Sequence, residues 1–145
     1  MAIPMKYCRI DLSKTNYNTL QNYYFMYEFN LDELNQIYYD YCNYKQFDSV
    51  MPIFDIQYTD EHTDVIGYSD NNKLVAFSLI RTYDSDNAES LQFAWDYANP
   101  KLRLGIESLK NECAVYKARG FKYLYLGQAD EYKSQIDGYE LLGKL

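Results

Sequence analysis

Between positions 95 and 106 the chain gathers residue types that can hold an anion. Trp95-Asp96-Tyr97 ends an aromatic stretch with strand character, Lys101 and Arg103 follow, and Leu104-Gly105-Ile106 opens a segment of helical periodicity. The first turn of a helix carries backbone N–H groups that no intrahelical carbonyl accepts, so it attracts phosphate or carboxylate. Two basic side chains at such a turn add to the positive end of the helix dipole. A second aromatic and aliphatic stretch, Tyr123-Leu124-Tyr125-Leu126-Gly127, follows the helix. Strand, turn, helix and strand in that order aim the helix N-terminus out of a splayed sheet.

The elements that must hold this turn follow from periodicity. Ser90–Tyr97 reads as a strand. Leu102, Ile106, Leu109, Cys113 and Tyr116 form one apolar stripe of a long helix that Gly120 ends. Phe121–Leu126 is the next strand, Ala129–Gln135 a short helix and Gly138–Leu142 a last strand. Upstream, Val65–Tyr68 and Leu74–Thr82 flank the turn Ser69-Asp70-Asn71-Asn72, and Asp84-Ser85-Asp86-Asn87 is a second turn. At the N-terminus, Lys6–Leu12 alternates as a strand does. Tyr17, Leu20, Tyr24 and Tyr27 recur at helical spacing and predict a helix from Thr15 or Asn16 to about Phe29. Asn30 with Glu33 resembles a capping box and opens a helix to about Tyr44, whose Leu34, Ile37, Tyr38 and Tyr41 share a face. Phe47–Glu61, interrupted by Pro52, reads as a loop over the sheet. The order β-α-α-β-β-β-α-β-α-β predicts a mixed α/β fold, an antiparallel meander joined to a parallel pair by a crossover helix.

With 145 residues, positions 1–145 are expected to form one domain. The chain carries net charge −7, spread unevenly: residues 1–99 hold 6 basic against 15 acidic groups, and residues 100–122 hold 6 against 2. One basic segment at a phosphate-binding turn suits a small anionic cofactor and suits a long nucleic acid poorly. Cys8, Cys42 and Cys113 lack metal or redox spacing and are expected to be buried thiols. No apolar run is long enough to span a membrane and the N-terminus lacks the features of a secretory signal, which together predict a cytoplasmic protein. His62, the single histidine, lies in a polar stretch, and no serine sits on a nucleophile elbow. Neither a metal-binding spacing nor a Walker-type phosphate loop is present. The 18 tyrosines, with many asparagines, fit an AT-rich coding sequence. A Tyr-rich N-terminal half can also present an aromatic face to a partner.

This element order resembles the GNAT acyltransferase fold. In that family a phosphate-binding turn lies between the fourth strand and the crossover helix, beside a V-shaped splay that admits the pantetheine arm of acyl-CoA. The usual Arg or Gln followed by Gly-x-Gly is reduced here to Arg103-Leu104-Gly105-Ile106, one glycine short. Residues 62–145 also resemble the C-terminal half of the aminoacyl-tRNA–protein transferases of arginyl and leucyl type. Asp96 and Gly105 keep that family's nine-step spacing, with Leu102 and Leu104 in place. Tyr123-Leu124-Tyr125-Leu126-Gly127 matches its Tyr-x-Tyr-Leu-Gly strand, and Tyr132-Lys133 begins its Tyr-Lys-x-x-Phe-x-Pro-x-Glu pattern, in which Gly138 replaces the proline. The N-terminal cysteine motifs of those transferases are absent.

The resemblance implies an N-acyltransferase that moves an acyl group from acetyl-CoA or another acyl-CoA to an amine of a small molecule or peptide. Attack on a thioester requires the amine to lose a proton and the leaving thiolate to gain one. Asp96 would orient or deprotonate the amine, with Glu89 on the same strand as a second candidate. Tyr132 would protonate the thiolate. Tyr97, Lys101, Arg103, Leu104, Gly105 and Ile106 would hold the cofactor. The alternatives are transfer from charged tRNA and a non-catalytic binding module on the same fold. Pairing across a sheet edge, common in GNAT-like sheets, would give a homodimer.

Overall fold

The computed structural model describes residues 6–28, 30–45, 61–95, 104–128 and 131–144. Within them seven strands and two α-helices alternate: β1 (Lys6–Asp11), β2 (Tyr23–Phe25), α1 (Leu31–Lys45), β3 (Thr63–Asp70), β4 (Lys73–Thr82), β5 (Asn87–Trp95), α2 (Leu104–Ala118), β6 (Tyr123–Gln128) and β7 (Tyr139–Lys144). Short 3-10 turns lie at Leu12–Lys14 and Glu131–Gln135. The strands form one sheet in the order β2-β3-β4-β5-β6-β1-β7. Only β5 and β6 run parallel, and every other neighbouring pair is antiparallel. This is the mixed α/β meander and crossover that the sequence predicts.

The longest paired segment of the sheet is the β3–β4 hairpin, between the edge strand β2 and the central β5. Asn71 and Asn72 both take positive φ, 51° and 65°, as a two-residue turn matched to strand twist requires. α1 starts where Asn30 caps it, its Oδ1 accepting from the N–H of Asp32 (2.9 Å) and of Glu33 (3.4 Å). Leu34, Ile37, Tyr38 and Cys42 of α1 pack with Val65, Phe77, Leu79 and Ala94. A larger cluster joins Leu109, Cys113, Val115 and Tyr116 of α2 to Cys8, Ile10, Ile66, Tyr68, Ile80, Ala88, Leu124 and others. The sheet is thus held between two helices, and all three cysteines are buried free thiols.

One expectation fails. The helix predicted from Thr15 or Asn16 to about Phe29 is an irregular segment followed by β2. Tyr23, Tyr24 and Phe25 are strand-forming residues, and they pair with Tyr68, Gly67 and Ile66. Asn22, just before them, satisfies a distant backbone group: its Nδ2 donates to the carbonyl of Ser69 (2.8 Å). The expected loop over 47–61 lies almost wholly outside the described residues, which resume at Glu61.

Candidate active site

The parallel pairing of β5 with β6 covers three positions: Asn87 with Tyr123, Ala88 with Leu124, and Glu89 with Tyr125. Beyond Glu89, β5 continues to Trp95 with β4 alone as its partner, and β6 continues to Gln128 along β1 alone. The two strands therefore part after Glu89 and Tyr125. The cause is visible in the register on either side. One extra residue, Leu91, is accommodated between Ser90, opposite Ile80, and Gln92, opposite Leu79. Likewise Leu126 is extra between Tyr125, opposite Arg9, and Gly127, opposite Cys8. A bulge bends its strand and raises the local twist, so two bulges just past the last shared pair drive the strands in different directions. Gly127, at φ +70°, follows the second bulge.

α2 lies with its N-terminal half over this open end. The Tyr68 hydroxyl lies 3.3 Å from the carbonyl of Ser108, and Tyr68 sits in the register row Tyr68–Ala76–Trp95 near the end of β5. At the other end of α2, Tyr116 donates to Asp64 (2.6 Å) and Arg119 pairs with the same carboxylate (2.7 Å), in the row Asp64–Ile80–Ser90. Leu104, Gly105 and Ile106 form the first turn of α2. A Cβ built on Gly105 meets no atom of the described residues within 4 Å, so none of them demands glycine there. Asp96, Tyr97, Lys101 and Arg103 lie outside the described residues.

Tyr132 belongs to the 3-10 turn Glu131–Gln135, just after β6. Its neighbour Lys133 donates from Nζ to the carbonyl of Leu126 (3.1 Å), tying that turn to β6 at its bulge.

A row of side chains crosses the vertex of the splay. Arg81, Glu89, Tyr125, Arg9 and Glu140 stand in register on β4, β5, β6, β1 and β7. They alternate with Ala88, Leu124 and Ile10, which pack with α2, so the row lies on the opposite face. Glu89 Oε1 accepts from the Tyr83 hydroxyl at 2.7 Å, and the Arg81 guanidinium lies 5.5 Å from the Tyr83 ring. The Glu89 bond raises the Tyr83 pKa above its ordinary value, since an anionic acceptor holds the phenol proton. Arg9 stacks 3.9 Å above the Tyr123 ring, lies 3.2 Å from the Tyr125 hydroxyl and pairs with Glu140 at 3.3 Å. Desolvation lowers its pKa, but the Tyr125 hydrogen bond and the Glu140 charge outweigh that loss and the net shift is upward.

Glu89, the second candidate in the sequence, is thus the carboxylate at the vertex. Tyr83 reaches Glu89 across the Asp84–Asn87 turn, six residues away. Arg9 carries no local sequence signal, and register across the strands brings it to this row. His62 is exposed beside Glu61, and its carbonyl accepts from the N–H of Thr82 at 2.8 Å, one residue past Arg81.

No protein-family profile and no curated protein sequence matches the chain. Solved structures do. L-PGS from Bacillus licheniformis superposes with TM-score 0.65 at 15% identity, over 86% of this chain and 46% of that one. A GCN5-related N-acetyltransferase from Kribbella flavida gives 0.60 at 12% identity, over 99% and 58%. N-myristoyltransferase from Saccharomyces cerevisiae, solved with bound myristoyl-CoA, gives 0.59 at 11% identity, over 96% and 50%. The chain therefore has the GNAT fold. It spans about half the length of each of these proteins. Among the described residues no helix is long and apolar enough to cross a membrane.

Proposed function

We propose that the chain is an N-acyltransferase that passes an acyl group, acetyl in the simplest case, from acyl-CoA to an amine. The observation that carries this reading is the parting of β5 and β6 after the Glu89–Tyr125 pair, beneath the N-terminal half of α2. A gap between parallel strands admits a slender chain such as pantetheine, and the first turn of α2 offers N–H groups to its pyrophosphate. Leu104, Gly105 and Ile106 would supply those groups. Lys101 and Arg103, just before them in the sequence, would neutralise charge, and Tyr97 is kept as a cofactor candidate from the sequence. The absence of any neighbour among the described residues around a Gly105 Cβ leaves room for close approach.

In the reaction the amine nitrogen attacks the thioester carbon, the C–S bond breaks, and the thiolate leaves. Glu89, at the vertex and held by Tyr83, takes the ammonium proton. Trp95, next to Asp96, is six residues and about 20 Å along β5 from Glu89, so Asp96 would be the base only for an amine at the open end. Tyr132, on the turn that Lys133 ties to β6, returns a proton to the thiolate. The acidic bulk of the chain, 15 acidic against 6 basic groups over residues 1–99, favours a cationic amine as acceptor.

The test is thiol release from acetyl-CoA against a panel of polyamines, aminoglycosides and peptide N-termini. Acceptor-dependent release that falls about 10²–10⁴-fold in Glu89→Gln supports the mechanism. No release from any acceptor, with folded protein, overturns it. The Asp96–Gly105 spacing and the Tyr132-Lys133 pattern favour a second reading, aminoacyl transfer from charged tRNA. Transfer of labelled amino acid from charged tRNA to N-terminal peptides would decide for it.

A further inference from the structure

Under α2 lies a cluster of polar side chains that the proposed chemistry does not use. Glu112 is fully enclosed, 2% exposed, yet no cation among the described residues pairs with it. Its Oε2 accepts from the hydroxyl of Tyr68 on β3 at 2.6 Å and from the hydroxyl of Ser78 on β4 at 2.7 Å. Asn111, its neighbour on α2, donates to the same Tyr68 oxygen at 3.2 Å and accepts from the N–H of Leu20 at 2.7 Å. One carboxyl therefore joins the crossover helix to two central strands, and one amide joins it to the segment before β2.

An ionised carboxylate enclosed without a cation is costly, whereas the neutral acid is not. Burial is the chief cause that raises the Glu112 pKa to about 7, against the smaller opposing effect of the two hydroxyl donors. The other titratable groups facing it are neutral: Tyr68, Cys113 and Tyr116, whose own values burial also drives upward. Asp64 and Arg119 lie beyond Tyr116 and pair with each other. Tyr68 holds one proton and has two acceptors in reach, Glu112 Oε2 and the carbonyl of Ser108 at 3.3 Å. With Glu112 protonated, the carboxyl can donate to the Tyr68 oxygen and the phenol proton passes to Ser108, so both bonds to the helix are made. With Glu112 ionised, the phenol proton is drawn to the carboxylate and the Ser108 carbonyl loses it.

We infer that Glu112 is a pH-operated latch, its protonated carboxyl seating α2 on β3 and β4 and its ionisation loosening the first half of the helix. The latch stands whether or not the first turn of α2 binds an anion. The closed state binds the proton more tightly than the open one, so closure is strongest below about pH 4.5 and weakens as pH rises toward and through about 7.

The experiment is amide exchange of residues 105–113 at pH 5 and pH 7, corrected for intrinsic rates, in the wild type and in Glu112→Gln. The opening constant in the wild type is expected to rise roughly fortyfold between the two, the ratio that values near 7 closed and 4.5 open dictate. In Glu112→Gln it is expected to stay flat. Equal pH dependence in both proteins, or none in the wild type, overturns the latch. Carbon-13 titration of the glutamate carboxyls in the wild type needs no variant. A resonance titrating near neutrality supports the latch, and all of them titrating below pH 5 contradicts it.

Discussion

At Gly138 the backbone runs at φ +80°, and a Cβ there would run into the carbonyl oxygen of Asp11. The Asp11 N–H in turn donates to the Gly138 carbonyl at 2.8 Å, so the two segments cannot move apart without losing that bond. Gly138→Ala should cost at least ~1–3 kcal/mol in urea unfolding, from the left-handed conformation alone. Gly105 is the opposite case: it is helical, and its missing Cβ meets none of the described residues. Gly105→Ala should leave stability unchanged or raise it by up to ~1 kcal/mol, since alanine is the better helix former. The same substitution should weaken acyl-CoA binding, because the added methyl stands where the pyrophosphate must approach. Unchanged affinity with raised stability would remove Gly105 from the binding site.

At the scale of elements, α1 rests on a single capping side chain. Asn30→Ala should lower stability by ~1 kcal/mol, measurable as a shift in the urea midpoint at unchanged slope. That cap and helix were legible in the sequence because both signals are local, as were the Asn71-Asn72 turn, the stripe on α2 and its stop at Gly120, where φ is +93°. β2 was not legible. Among so many tyrosines Tyr17, Leu20, Tyr24 and Tyr27 fall at helical spacing by coincidence, and the strand exists because Tyr23–Phe25 meets β3 some forty residues away. The site divides the same way. The order of strand, turn and helix shows in the sequence, whereas the vertex depends on two one-residue bulges at Leu91 and Leu126 that no periodicity records. Glu112 reads as one more charge in a basic segment, and only Tyr68 and Ser78, 44 and 34 positions away, make it a buried acid.

Over the whole molecule, a chain of net charge −7 places Lys101 and Arg103 just before α2, whereas Arg119 and Lys122, past its other end, pair with Asp64 and Asp86. Under the proposed function the first two would draw an anionic cofactor and the acidic remainder would receive a cationic amine. The fold, the parted strands and this asymmetry all lead to one claim, that acyl-CoA enters between β5 and β6 with its pyrophosphate at the first turn of α2. Calorimetric titration of acetyl-CoA into the folded protein, with Arg103→Ala and Gly105→Asp alongside, tests it most directly. Binding in the micromolar range that both substitutions abolish is the expected result. A folded wild-type protein that takes up no CoA thioester, or variants that bind as well as the wild type, would contradict it.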